Sequence, residues 1–212
     1  MQIAMTISFS SAALLVGLGA FHGINPGMGW LFAVALGMQE RRRSAIWRAL
    51  LPLGVGHALA VAAAVAVAVL AGTVIPMRSL RWPVAGCLIA FGISRLIRHR
   101  HPRWAGMRVG IVGLVLWSFL MASAHGAGLM VVPVFLSMGN DPPACHVVSR
   151  STPMAALWAS LLHAVGYLVI TAVVAVVVFE KVGVRFLRKA WFNVDLVWAV
   201  TLVATGLITI VM

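Results

Sequence analysis

Four histidines, His22, His57, His125 and His163, stand inside long apolar runs. An imidazole is costly to place in a bilayer core, so such residues are expected to face a bundle interior or a wet cavity, and function is the first hypothesis for them. Their surroundings repeat. His22-Gly23 is echoed by His125-Gly126, and His57-Ala58 by His163-Ala164, with 35 residues from His22 to His57 and 38 from His125 to His163. Neutral imidazoles ligate zinc, copper, nickel or cobalt, and four of them can supply a tetrahedral or square-planar site. The pattern points to a transition-metal ion handled as a substrate, with no tightly bound cofactor. Two alternatives stay open on the residues alone. Protonated histidines could hold an anion or oxyanion, and paired imidazoles could be axial ligands of a haem in a membrane electron carrier. Any one of the four could also be structural, bonded to a neighbouring carbonyl.

The densest signal is His22-Gly-Ile-Asn-Pro-Gly-Met-Gly-Trp30. Pro26 removes a backbone donor and disturbs the preceding turn, while Gly23, Gly27 and Gly29 allow close approach of backbone or solute. Freed carbonyls and the Asn25 amide could then line a polar cavity, which makes Asn25 a fifth candidate site residue. Gly19, Gly23 and Gly27 also form a small-residue ladder suited to packing a neighbouring helix. The second run, His125-Gly-Ala-Gly-Leu-Met-Val-Val-Pro133, has the same ingredients but places Gly128 where Asn25 would align. No carboxylate falls in the central part of an apolar run, so a divalent ion there would lack charge compensation. Asp195 reads as an interfacial residue, and proton coupling would fall to the histidines. With no general base or carboxylate ligand in place, an enzyme is not expected. Met121 reads as packing, Cys87 and Cys145 form no Cys-x-x-Cys pair, and Asp141, Cys145 and His146 read as a polar loop. His99 and His101 sit among arginines, as in a membrane-surface anchor.

Positioning these residues requires a membrane fold. Of the 212 residues, 62% are hydrophobic and 9% charged, against roughly 25% charged in a soluble domain. The formal charge of +12 lies in short clusters between apolar runs, which argues for topology signals and against a nucleic-acid partner. Six spans are expected at about 8–38, 45–71, 80–97, 107–138, 153–179 and 191–211, giving an all-α polytopic protein with one transmembrane domain over 1–212. The first and fourth are long and contain Gly and Pro, so both are expected to be broken. Three spans per half force the second half (106–212) to lie inverted relative to the first (7–100). Thirteen basic residues fall in the first, third and fifth loops and three on the other side. By the positive-inside rule both termini then face the periplasm of a bacterial inner membrane. The first 39 residues carry no charged side chain, so the basic region of a cleavable signal peptide is missing and the first span is expected to be retained. The expected partners are the lipid bilayer and a small inorganic solute; a homodimer is left open.

Six spans, inverted halves, interrupted first and fourth segments and the His-Gly-x-Asn-Pro-Gly pattern at His22 to Gly27 resemble the LysE-type transporter superfamily. That superfamily includes nickel/cobalt carriers, HupE/UreJ-type proteins, sulfite-exporter-like proteins and the membrane parts of cytochrome c biogenesis proteins. The resemblance spans the chain in architecture and is specific around His22 and His57. It implies transport of a small solute, here expected to be export of a transition-metal cation. His22, Asn25, His57, His125 and His163 are expected around a central site, with one half rocking against the other. Unlike the nickel carriers, the chain has no Asp beside its first histidine and no long His-rich loop. Unlike the thiol-transferring members, it lacks cysteines in segments one and four.

Overall fold

A computed structural model describes residues 9–97, 110–137, 152–182 and 194–211, and among them every regular element is helical. Helix α1 (Phe9–Ile24) is followed by a 3-10 turn, Pro26–Met28, and by α2 (Trp30–Glu40). After α3 (Arg43–Ala71) and α4 (Met77–Ile97) come the short helices α5 (Ile111–Ala124) and α6 (Ala127–Ser137). Helix α7 (Thr152–Val177) ends in a π turn, Val178–Val182, and α8 (Val194–Val211) follows. Each expected apolar segment contains helix, and the first and fourth are each interrupted. His99, His101, Asp141, Cys145 and His146 lie outside the described residues, as does the side chain of Asp195.

The distribution of residue types is inside-out. On α3, Trp47, Leu51, Val55 and Leu59 recur every fourth residue on the exposed face, whereas His57 is buried. On α7, Leu157, Leu161, Val165, Val169 and Val173 form the exposed stripe, and Ser160, His163, Tyr167 and Thr171 are buried. A soluble helix does the reverse, because water rewards exposed polar groups; here the apolar face is outermost and the polar groups are sequestered, which fits a membrane protein. Three helices, α3, α4 and α7, are long and apolar enough to cross a bilayer alone. The pair α5 and α6, bent by 62°, qualifies as a fourth when taken together. Helix α1 and the apolar part of α8, Leu196–Val211, are shorter.

Three helix pairs dominate the packing: α1 with α7, α3 with α5, and α4 with α8. Small residues permit the close approaches. A Cβ on Gly19 would strike the carbonyl of His163, one on Gly166 the carbonyl of Val16, and one on Gly56 the carbonyl of Val115. The expected ladder on the first segment therefore divides: Gly19 and Gly23 face α7, while Gly27 lies in the turn and faces Met121 and His125. These contacts fix the rotation of α1, α3 and α7, and thereby the direction of their histidines.

Candidate functional site

Each helix break follows from its local sequence. Pro26 disfavours a helical conformation in the residue before it, and Asn25 is extended (φ −68°, ψ 123°). The Asn25 side chain then accepts a hydrogen bond from the Gly27 amide at 2.9 Å and caps the 3-10 turn. Gly29, at φ 124°, adopts a conformation that L side chains rarely take, and lets α2 start in a new direction. The Trp30 indole N–H donates to the last carbonyl of α1, Ile24 O, at 2.9 Å. In the second break, His125 ends α5, Gly126 takes φ 70°, and α6 restarts at Ala127.

The five expected site residues are all buried; His22, His57 and His163 have 0% relative exposure. These three imidazoles come from α1, α3 and α7 and form a triangle. Ring centroids are 4.9 Å apart for His22 and His163, 5.3 Å for His57 and His163, and 5.7 Å for His22 and His57. Three imidazoles bound to one ion at about 2.0–2.1 Å have centroids about 5.2 Å apart, so the separations suit a shared small ligand. Orientation differs from separation. His57 and His163 are stacked with planes 6° apart, and among the described residues no three His, Cys, Asp or Glu side chains are placed to hold a metal ion. An imidazole lone pair lies in the ring plane, so joint ligation requires at least one of these rings to turn.

Hydrogen bonding fixes two tautomers. The Nδ1 of His22 lies 2.8 Å from Leu18 O and that of His125 lies 2.8 Å from Met121 O. A carbonyl can only accept, so both Nδ1 atoms carry the proton and both Nε2 atoms present a lone pair. The Nε2 of His22 has no partner, nor do either ring nitrogen of His57 and His163 or the Nδ2 of Asn25. The Leu15 carbonyl faces His163 without closing a hydrogen bond. Buried polar atoms without partners are costly, and here they concentrate around one triangle. His125 borders the first break, its Cε1 3.8 Å from the position a Gly27 Cβ would take.

Two aromatic residues that the sequence reading passed over complete the site. Tyr167, one turn beyond His163, stacks on His57 at 3.8 Å with planes 3° apart and donates its hydroxyl to Met28 O at 2.6 Å. Trp198 donates its indole N–H to His125 O at 2.7 Å and meets His22 edge-on at 4.5 Å and His125 at 5.7 Å. It also stacks on Phe21 at 4.8 Å. Tyr167 is the chain's single tyrosine and lies four residues from a mid-helix histidine. That spacing, on one helix face, could have identified it. Trp198, distant in sequence from every histidine, carried no comparable signal.

The two carboxylates among the described side chains, Glu40 and Glu180, lie away from this group. Glu40 pairs with Arg48, and Glu180 with Arg43 at 2.8 Å; both pairs join helix ends. The arrangement can bind a small ligand through neutral nitrogen donors in a buried interior, beside the dipoles of the broken helices. Comparisons with family models, with curated proteins and with solved structures find no match for this chain.

Proposed function

We propose that this protein is a carrier that moves a transition-metal cation across a bacterial inner membrane, with His22, His57 and His163 as the central ligands and Asn25 and His125 at their border. The observation that carries the reading is the His22 tautomer. With Nδ1–H committed to Leu18 O, the unpartnered Nε2 lone pair is left beside two more imidazoles. With its one N–H committed, neutral His22 can offer a ligand only a lone pair, which favours a cation over an anion. A haem needs imidazoles on opposite faces of its macrocycle, and rings 4.9–5.7 Å apart, flanked by Phe21, Tyr167 and Trp198, favour a cargo of atomic size.

The carrier is read as two inverted three-span halves. The broken pair α1 and α2 contributes one crossing, α5 and α6 another, and α8, with 18 residues and so about 27 Å long, comes close to a 30 Å core. Exchanging the halves turns the α1 and α7 pair into the α5 and α3 pair and maps the α4 and α8 pair onto itself. Matching bonds from Nδ1 to the carbonyl four residues earlier, at His22 and His125, follow the same relation. The breaks and the resemblance to LysE-type transporters support transport over catalysis, and the loop charges support periplasmic termini. The test is uptake into proteoliposomes containing the purified protein, across Co2+, Ni2+, Zn2+ and Cu+ and a parallel set of oxyanions. Saturable movement of at least one metal ion is expected. Movement of oxyanions alone, or a haem absorption band in the purified protein, overturns the assignment.

A further inference from the structure

Tyr167 touches both the ligands and the hinge. Its ring covers one face of His57, and its hydroxyl holds Met28 O, the last carbonyl of the 3-10 turn in the first break. The residue has 0% exposure, so no water competes for that carbonyl. On the adjoining α1, Gly23 lies against the Tyr167 backbone carbonyl, which keeps the two helices in register. The hydroxyls of Ser118 and Thr171 also lie beside the phenol oxygen. Ser118 is itself occupied as a donor to Leu53 O at 2.6 Å. Thr171 Oγ1 is buried and completes no hydrogen bond, which leaves an alternative acceptor one turn along α7.

We propose that Tyr167 is a positioning residue that couples occupancy of the histidine triangle to opening of the first helix break. The inference rests on the reading of that triangle as a cation site. His57 and His163 are parallel, so sharing an ion requires one of the two rings to turn, and the coupling assigns that turn to His57, which then leaves its stack on Tyr167. Turning removes the support under the phenol ring and lets the hydroxyl leave Met28 O for Thr171 Oγ1. The 3-10 turn then loses its fastening to α7, and α2 is free to swing from α1. Ligand binding and gate release become one event, because a single side chain serves both.

The test is hydrogen exchange, read by mass spectrometry, at the amides of Asn25 and residues 27–30 in the detergent-solubilised full chain. Wild type, Tyr167→Phe and His57→Ala are compared with and without Co2+, and Co2+ binding is followed separately by its visible d–d absorption. Tyr167→Phe keeps the stack and loses the hydroxyl. In the wild type, Co2+ is expected to speed exchange at the break about 3- to 10-fold, the opening change that one net hydrogen bond supports. Tyr167→Phe is expected to show that faster exchange without Co2+, to gain little more on adding it and, because linked equilibria are reciprocal, to bind Co2+ at least as tightly as the wild type. His57→Ala is expected to loosen the break without Co2+ and to lose Co2+ binding. Exchange at these amides that is unchanged in both variants overturns the coupling. So does loosening spread evenly along α7, which marks a merely structural tyrosine, and so does wild-type exchange that ignores bound Co2+. A wild type that shows no Co2+ absorption overturns the cation reading and the occupancy half of the coupling with it. The variants still decide whether Tyr167 fastens the break.

Discussion

Adding one methyl group at Gly23 separates site geometry from fold stability. A Cβ there lies 2.7 Å from Tyr167 O, 3.0 Å from Thr171 N and 3.1 Å from Ile170 Cβ, all on α7 and two of them backbone. Ordinary contact begins at 3.4 Å, so α1 must move from α7 by about 0.7 Å at this level. Overpacking of this kind costs about 1–3 kcal/mol, and alanine returns about 0.5–1 kcal/mol of helix preference over glycine. The net loss, about 0–2.5 kcal/mol, leaves the chain inserted and folded. The histidine triangle has less tolerance. His22 is the adjacent residue on α1 and His163 is one turn from Tyr167 on α7, and binding constellations tolerate about 0.5 Å of error. Gly23→Ala is therefore expected to weaken Co2+ binding at least about tenfold, a loss of about 1.4 kcal/mol. Gly17→Ala is the control, since Gly17 lies on the same helix with nothing within 4 Å of its Cβ position. Calorimetric titration of Co2+ into both variants gives the answer. Wild-type affinity in Gly23→Ala, with a folded protein, refutes the claim that contact between α1 and α7 sets the ligand spacing.

His57→Ala and His163→Ala are each expected to abolish Co2+ transport in proteoliposomes while membrane insertion, followed by extraction and gel filtration, stays normal; wild-type rates in both mean that the histidines are structural. Trp198→Phe removes the donor to His125 O and is expected to cost about 1–2 kcal/mol, lowering the melting temperature in detergent by several degrees. An unchanged melting temperature means that the carbonyl finds another partner. Glu180→Gln breaks an ion pair whose arginine side chain is 67% exposed, worth at most about 1 kcal/mol. Co2+ affinity is expected to stay within twofold, and a larger change, measured by titration, ties the helix ends to the site.

The histidines and the breaks were legible because each contrasts with its surroundings: an imidazole in an apolar run, or Pro26 and three nearby glycines in a segment too long for one straight helix. The convergence of His22, His57 and His163 was foreshadowed by their repeated spacing, but their ring orientations were not. Orientation depends on helix rotation, which is set by contacts between distant segments such as Gly19 against His163 and Gly56 against Val115. For the same reason the sequence treated His125 as equivalent to the other three. Its place beside Trp198 depends on the 62° bend after Ala124 and on an indole about 70 residues away in sequence. Tyr167 and Trp198 were passed over because an aromatic in an apolar helix ordinarily means packing. Only the hydrogen bonds to Met28 O and His125 O distinguish them.

The most direct measurement is X-ray absorption at the cobalt edge of the Co2+-loaded protein, compared between wild type and His163→Ala. Three imidazoles bound to one ion give nitrogen donors at about 2.1 Å with the outer-shell scattering of three rings, and the variant should lose one ring. A shell of water oxygens alone, or a ring count that His163→Ala leaves unchanged, contradicts a metal site built from His22, His57 and His163.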